Sequence, residues 1–276
     1  MMDLNDKINN SLSLLKKGEA LALSLNPDGG YSLAFSGGKD SQVLLELARM
    51  AGVKYHAVHS VTGVDDPRTI YFIRENYPEV EMRHPKEKYL KLIEKKGMPT
   101  IQRRFCCERL KEGMGKGEVV LTGVRAEEST KRSKYGSIMI MSRRKEHQNT
   151  DVRRDEEWIK QTEHTCIKGQ DRVMVHPVLD WTEDEVWQFL KQTHSPINPC
   201  YKMAGRVGCM FCPFASKRQI DQYERMYPGY KRAIIRALTT FWNKYQEHQL
   251  SSPEEYYEWW KTGKSVAQYK KMKAYM

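Results

Sequence analysis

The sequence lacks any apolar run near the roughly 20 residues that a membrane-spanning helix requires. It begins MMDLNDKINN, without the basic stretch and apolar segment typical of a signal peptide. It also lacks internal repeats and low-complexity tracts, which argues against solenoids and repeat arrays. We therefore expect a cytoplasmic protein with no membrane partner.

The composition is that of a folded protein with an excess of positive charge. With 276 residues and 39% hydrophobic content, the chain can bury the core of one large domain or of one domain plus an appendage. A charged fraction of 29% with 10% aromatics argues against disorder. The net charge of +11 favours polyanionic partners such as nucleic acid, nucleotides or sulfated compounds, although it also fits a basic surface that only aids solubility.

Short apolar runs alternate with amphipathic segments along most of the chain. Buried strands are predicted at 31–35, 55–61, 80–83, 118–124 and 173–178. Helices are predicted between them, at 42–51, 66–76, 86–96, 105–114 and 182–193. This alternation predicts an α/β fold with a doubly wound, mostly parallel sheet and a helical C-terminal region.

Three regions are expected from the pattern. An N-terminal helix occupies 1–28, an α/β domain 29–195, and a cysteine-containing loop with helices 196–276. Proline and glycine interrupt these last helices at 228–229, 251–253 and 263. Within the second region, residues 129–154 carry eight lysines and arginines with little periodicity, and we interpret them as a basic, mobile excursion from the sheet.

A glycine-rich loop, here called the phosphate loop (residues 36–41), joins the first predicted strand to the next helix and consists of Ser36, Gly37, Gly38, Lys39, Asp40 and Ser41. Glycines let backbone amides converge on an anion, and the helix N-terminus adds its positive dipole end. Lys39 can neutralise phosphate charge, and Asp40 can shape the loop or hold Mg²⁺ through water. This order of residues differs from the GxxxxGK[ST] pattern of the Walker-type NTPases, so the loop is not of that type. A glycine turn that merely joins strand to helix is the alternative.

The loop resembles the SGGxDS loop of the PP-loop ATP pyrophosphatases, which adenylate a substrate and release pyrophosphate. Further segments resemble the phosphoadenosine phosphosulfate (PAPS) reductase family of that superfamily, at 61–63, 105–111, 122–132 and 176–187. The resemblance spans roughly residues 30–215. It implies ATP, or PAPS or adenylyl sulfate, as ligand, with Mg²⁺.

The nucleotide-binding residues that the resemblance implies are Ser36, Gly37, Gly38, Lys39, Asp40, Ser41, Thr62, Gly123, Arg125 and Arg132. Lys39, Asp40 and Arg125 are the expected catalytic residues. The ends of parallel strands line a nucleotide crevice, and a guanidinium group there matches phosphate or sulfate oxygens. The alternative for Arg125 is an ordinary surface ion pair with Glu127 or Glu128.

Cysteines are grouped rather than scattered. Cys200, Cys209 and Cys212 form a C-x8-C-x2-C pattern, and in a reducing compartment such grouping indicates metal or redox chemistry. Iron–sulfur members of the family hold a 4Fe–4S cluster with a Cys-Cys pair and a distal CxxC, which implies a ligand among the pair Cys106 and Cys107. We predict Cys107, Cys200, Cys209 and Cys212 as ligands, with Cys106 as the substitute.

Other interpretations of the cysteines stay open. Zn²⁺ also accepts four thiolates, a CxxC can be a redox dithiol, and clustered thiols can simply be buried. Cys166 stands alone and is either a small core residue or a sulfur relay.

The chain departs from the sulfate-reducing members of the family, because no cysteine follows Cys212 where those enzymes carry their catalytic thiol. The resemblance therefore favours an ATP pyrophosphatase that activates an acceptor for sulfur transfer to nucleic acid, as in DNA phosphorothioation or tRNA thiolation. A cysteine desulfurase or another sulfur-donor protein is the expected partner. The alternatives are a PAPS or adenylyl-sulfate reductase, and a non-catalytic nucleotide-binding subunit of a modification or defence complex.

The C-terminal region interleaves aromatic residues with lysines, as nucleic-acid-binding surfaces do. The aromatic residues are Tyr256, Tyr257, Trp259, Trp260 and Tyr269, and the lysines are Lys261, Lys264, Lys270 and Lys271. The alternative, which we favour for the aromatic residues, is that they pack a helical core.

Overall fold

The computed structural model describes residues 2–111, 115–141, 151–152, 171–245 and 249–275. The chain forms two compact units. The first, here called the sheet unit, consists of Met1–Ser60, Arg68–Arg83 and Met114–Val207. The second, the helical unit, consists of Val61–Pro67, His84–Gly113 and Gly208–Met276. No helix in these described ranges is long and apolar enough to cross a bilayer.

The sheet unit is built on a sheet whose described strands follow the order β3-β2-β1-β4-β7-β5-β6. These strands are β1 Tyr31–Ala34, β2 Tyr55–Ser60, β3 Glu81–Arg83, β4 Val119–Leu121, β5 Ile138–Met141, β6 Asp151–Val152 and β7 Arg172–Val175. The pairs from β3 to β7 are parallel, whereas β5 runs antiparallel to both β7 and β6. The predicted α/β fold with a mostly parallel sheet is confirmed.

The strand order places a topological switch point between β1 and β4. From β1 the chain proceeds outward through β2 and β3, and it then returns to the other side of β1 with β4 and β7. In open parallel sheets, ligands bind beyond the carboxyl ends of the strands at such a point. The segments that follow β1 and β4 are therefore the ones positioned for binding.

Helices of the sheet unit pack around an apolar core. They are α1 Leu4–Leu25, α2 Lys39–Ala51, α3 Pro67–Asn76, α6 Glu183–Gln192 and α7 Cys200–Ala204. The core includes Leu15 of α1, Leu33 of β1 and Leu44 of α2, all fully buried. Thr182 and Glu185 form a capping box at the start of α6.

Part of the stretch expected to leave the sheet instead extends it. Ile138 and Ile140 are buried, and β5 pairs with β7 in the register Ile138↔Val175 and Ile140↔Val173. The apolar run buries its alternate side chains by adding an antiparallel strand, so the interpretation of 129–154 as a plain excursion is wrong for 138–141. The basic residues at 143–145 and 153–154 lie outside the described residues.

The helical unit contains α4 Tyr89–Lys96, α5 Phe105–Leu110, α8 Lys217–Met226, α9 Pro228–Trp242, α10 Pro253–Thr262 and α11 Val266–Ala274. Pro228 and Pro253 stand at helix starts, where a missing amide hydrogen costs nothing. Gly263 ends α10 in the left-handed conformation, with φ of 64°. The predicted interruptions of the C-terminal helices are therefore confirmed.

Most of the C-terminal aromatic residues belong to this unit's core. Tyr257, Trp260 and Tyr269 are buried, and the indole of Trp260 donates to the carbonyl of Pro99 at 2.6 Å. The buried ammonium of Lys261 lies 2.6 Å from Asp221. The three aromatic side chains therefore pack the core of this unit, as the alternative predicted, whereas Lys261 is buried in ion pairs. Tyr256 and Trp259 line an aromatic cavity of about 300 Å³.

Candidate functional site

The phosphate loop begins one residue after Phe35, which follows β1, and it continues into the first turn of α2 at the switch point. Gly37 adopts a φ of 74°, a conformation that glycine takes without strain. The Ser36 amide donates to the Ser41 hydroxyl at 3.2 Å, and that hydroxyl donates to the Gly38 carbonyl at 2.8 Å. The two serines predicted to bind phosphate thus also hold the loop closed on itself.

Gly123 brings the segment after β4 against this loop. A Cβ atom added to Gly123 would lie 2.8 Å from the backbone oxygen of Asp40 and 3.0 Å from its Cβ. Only a residue without a side chain allows this approach. The structure therefore gives Gly123 a packing role at the start of α2.

Lys39, Asp40 and Arg125 lie together at the start of α2. Arg125 is only 3% exposed, and its Nε donates to Asp40 Oδ1 at 2.7 Å. Lys39 Nζ lies 3.3 Å from Asp40 Oδ2 and 3.5 Å from Glu183. A buried guanidinium, an ammonium and one shared carboxylate form a charged group suited to an anionic ligand and a metal cation.

Arg125 also pairs with Glu127, its Nη1 donating to Oε2 at 2.7 Å. The ion pair with Glu127 that the sequence suggested as an alternative role for Arg125 is therefore present. It is not an ordinary surface pair, because Arg125 is buried and also pairs with Asp40. Burial lowers the pKa of Arg125, but the carboxylates of Asp40, Glu127 and Glu128 together raise it more, so its pKa lies above the ordinary value. The guanidinium thus stays charged.

Two of the other predicted nucleotide-binding residues, Arg132 and Thr62, have partners outside this group. Arg132 is 40% exposed and forms an ion pair with Glu128 on the sheet unit. Thr62 belongs to the helical unit, where its amide donates to Asp65 at 2.6 Å and its hydroxyl lies 3.7 Å from the sulfur of Cys209. The roles of Arg132 and Thr62 in nucleotide binding stay predictions.

Four cysteines belong to the helical unit. Cys106 and Cys107 begin α5, while Cys209 and Cys212 precede α8. The backbone of Cys209 bridges to Asp65, and the next amide, that of Met210, donates to the Val64 carbonyl at 2.9 Å. These contacts hold the Cys209 segment against the strand-like turn at 62–65.

The thiols of the Cys106–Cys107 segment interact electrostatically with those of the Cys209–Cys212 segment. A hydrogen bond to Cys107 and burial raise the pKa of Cys106, with a contribution from Cys209. Burial raises the pKa of Cys209, while the ammonium of Lys111 opposes that effect. Within the described ranges, no three or more His, Cys, Asp or Glu side chains are close enough together to hold a metal ion in the present side-chain conformations.

Cys200, predicted as a ligand, belongs to the sheet unit. It is 1% exposed in the first turn of α7, its sulfur 3.3 Å from the Thr69 hydroxyl. Its amide donates to the side chain of Asn198 at 3.0 Å. Cys166 lies outside the described residues.

The sequence did not indicate Tyr201, yet its hydroxyl accepts a hydrogen bond of 2.8 Å from the Lys39 amide. The two residues are 162 positions apart, and no local pattern signals such a contact. Another buried group without an assigned role is His176, at the carboxyl end of β7. Its Nδ1 lies 2.6 Å from the Thr122 hydroxyl, and its ring stacks on Tyr135.

A parallel sheet with an SGGKDS loop at its switch point defines an α/β protein of the PP-loop class. Residues 30–215 match the phosphoadenosine phosphosulfate reductase domain. The chain belongs to this PAPS reductase family, as the resemblance implied.

Similar proteins are found in archaea and bacteria. The chain is 26% identical over 242 residues to the uncharacterized protein MJ0973 of Methanocaldococcus jannaschii, covering 84% of this chain and 52% of that protein. It spans, then, about half the length of this relative. It is 24% identical over 224 residues to sulfate adenylyltransferase subunit 2 of Shewanella frigidimarina, covering 71% of this chain and 70% of the subunit.

Among solved structures, the U34-tRNA thiolase NcsA of Methanococcus maripaludis with its 4Fe–4S cluster is similar with a TM-score of 0.45 and 15% identity. That match covers 84% of this chain and 78% of the thiolase.

His176 gives the fold a specific dependence on pH. The side chain is 2% exposed, and burial, together with the charge of Arg132, lowers its pKa to about 4. In the unfolded chain the imidazole titrates near its ordinary value of 6.5, so only the unfolded state takes up this proton between pH 6.5 and 4. The neutral imidazole of His176 therefore contributes to the free energy of unfolding in full above pH 6.5, and this contribution is lost as the pH falls toward 4.

We expect wild-type protein to lose about 2–3 kcal/mol more stability than His176→Gln when the pH is lowered from 7.5 to 4.5. The glutamine retains a hydrogen-bonding group for Thr122 but has no proton to take up. Urea unfolding at both pH values measures the difference, and the carboxylates common to both proteins cancel. Equal losses in the two proteins would show that His176 titrates normally.

Proposed function

We propose that the chain is an ATP pyrophosphatase that adenylates an acceptor for sulfur transfer to nucleic acid and carries an iron–sulfur centre. The observation that carries the proposal is the group formed by the phosphate loop, Gly123 and buried Arg125 at the sheet's switch point. Membership of the PAPS reductase family supports it. Similarity to sulfate adenylyltransferase subunit 2, whose name describes adenylyl transfer, supports the activation step.

The phosphate loop binds the β- and γ-phosphates of ATP, which leave as pyrophosphate. Amides at the start of α2 and the Lys39 ammonium bind the β- and γ-phosphates and stabilise the charge that develops on them. Asp40, fixed by Arg125, would hold Mg²⁺, which would neutralise phosphate charge. Arg125 keeps its charge and places that carboxylate, and it can turn a free N–H toward the α-phosphate.

The chemistry proceeds by displacement at the α-phosphorus. A nucleophilic oxygen of the acceptor attacks, the bond from phosphorus to the bridging oxygen breaks, and pyrophosphate leaves with the electron pair. Hydrosulfide then attacks the activated atom of the acceptor; it is released from the persulfide of a sulfur-donor protein, such as a cysteine desulfurase, when a second thiol reduces that persulfide and ends as a disulfide. AMP leaves with the former acceptor oxygen, and sulfur takes its place.

The thiols of the helical unit suit an iron–sulfur cluster, because four of them come from two short segments and interact with one another. Cys107, Cys209 and Cys212 would hold it, and we assign the fourth position to Cys106, since Cys200 packs against Thr69 in the sheet unit. When bound, the cluster supplies iron and sulfide for sulfur chemistry. Lys111, which hydrogen-bonds Cys209, offsets the negative charge of the thiolates.

The nucleic-acid acceptor is supported by charge. The net charge is +11, and residues 129–154 contribute eight cationic side chains to it. Cations in such number neutralise a phosphate backbone.

The acceptor is tested by labelling. Anaerobically purified protein is incubated with ATP, Mg²⁺, radioactive sulfide and either tRNA or DNA. We expect ATP-dependent label in one nucleic acid, and none when ATP is replaced by AMP. Sulfite formation from PAPS without labelled nucleic acid would identify a reductase instead. ATP binding with no turnover in any combination would favour a non-catalytic subunit.

A further inference from the structure

The hydroxyl of Tyr201 lies inside the phosphate loop. It accepts the hydrogen bond of the Lys39 amide at 2.8 Å, and it is 3.3 Å from the position of a Cβ atom added to Gly38. Lys39 is the first residue of α2, and the first amides of a helix have no partner within the helix. The tyrosine therefore uses one of the few amides that this loop can offer to an anion.

The contact is built into the fold. The side-chain amide of Asn198 donates to the Gly37 carbonyl at 2.9 Å and so fixes the chain just before α7 to the loop. The Tyr201 ring also meets Trp187 of α6 edge to face, with 5.0 Å between centroids. The tyrosine is thus held from its backbone and from its ring, and its hydroxyl is directed at the start of α2.

The hydroxyl is a weaker acceptor than a phosphate oxygen. Burial raises the pKa of Tyr201, so the group is neutral, whereas a phosphate oxygen carries charge. Hydrogen bonds to charged oxygen are about twice as strong as those to neutral oxygen. Since the amide has one hydrogen, it cannot serve both acceptors at full strength.

We propose that Tyr201 sets the affinity of the nucleotide site, because its hydroxyl competes with a phosphate oxygen for the Lys39 amide. When ATP or pyrophosphate binds, the hydroxyl leaves the amide and the phosphate takes it. Ligands without these phosphates gain nothing from the exchange. The inference rests on the proposed function, since it requires that the loop binds the phosphates of a nucleotide.

The test is Tyr201→Phe, which removes the hydroxyl and keeps the ring against Trp187. Titration calorimetry compares wild type and variant with ATP, pyrophosphate and adenosine. We expect the variant to bind ATP and pyrophosphate about two- to tenfold more tightly, as the loss of one competing hydrogen bond implies, and adenosine with unchanged affinity. Tyr55→Phe, which removes a hydroxyl at the start of β2, serves as the matched control and leaves all three affinities unchanged.

The outcomes separate the two proposals. If wild type binds ATP and Tyr201→Phe binds it equally or more weakly, the competition is absent and this inference is wrong. An equal gain for adenosine would also overturn it, because the effect would not pass through the phosphates. If wild type binds neither ATP nor pyrophosphate, the proposed function fails and this inference fails with it.

Discussion

Replacing Cys209 with serine is expected to reduce the iron of anaerobically purified protein from about four atoms per chain to less than one. Cys209 contacts Thr62 and interacts with Cys106, Cys212 and Lys111, so it is central to the cysteines of the helical unit. Serine is close in size but is a poor iron ligand. Iron analysis and the visible absorption spectrum measure the loss, and circular dichroism checks that the variant is folded.

Cys200→Ser is the matched control for this experiment. Cys200 is a buried cysteine that belongs to the sheet unit and contacts Thr69. We expect this variant to keep its iron, and Cys106→Ser to lose it. The opposite result, with iron lost from Cys200→Ser and kept by Cys106→Ser, would restore the ligand set predicted from the sequence. Zinc in place of iron in wild type would contradict the iron–sulfur assignment.

Gly123→Ala is expected to weaken ATP binding more than tenfold and to lower the free energy of unfolding by about 1–3 kcal/mol. The new methyl group would lie 2.8 Å from the backbone oxygen of Asp40, so either β4 or the first turn of α2 must shift. That shift moves the amides and the carboxylate on which the proposed site depends. Calorimetry with ATP and urea unfolding measure the two effects.

Gly229→Ala controls for the general cost of replacing glycine. Gly229 lies in the first turn of α9, and the nearest atom to an added Cβ is 3.7 Å away, on Arg232. We expect this variant to bind ATP as wild type does and to be as stable or slightly more stable, because alanine favours helix. Normal ATP binding by Gly123→Ala would mean that the close approach at Asp40 does not position the site.

The sequence was sufficient to locate the phosphate loop and the parallel sheet. Apolar runs and amphipathic segments are local patterns, and a glycine loop between a strand and a helix is recognised from its neighbours alone. Proline and glycine likewise marked the ends of the C-terminal helices. Even so, α2 begins at Lys39, three residues earlier than the apolar periodicity indicated, because the loop's polar residues form its first turn.

What the sequence left undetermined depends on contacts between distant residues. The pairing of β5 with β7 joins two apolar runs across a polar stretch, which periodicity cannot anticipate. The Tyr201 hydroxyl meets an amide 162 residues away, and Thr62 meets Cys209 across 147 residues. Spacing alone grouped Cys200 with Cys209, whereas the fold assigns these two residues to different units.

In the proposed function, the phosphate loop binds ATP so that its α-phosphorus is attacked. The most direct measurement incubates anaerobic protein with Mg²⁺ and ATP labelled at the α-phosphate, in the presence of tRNA and DNA, and separates the products. The proposal predicts labelled AMP, or a labelled adenylated acceptor, together with pyrophosphate in equal amount. Labelled ADP with free phosphate, or intact ATP beside sulfite formed from PAPS, would contradict it.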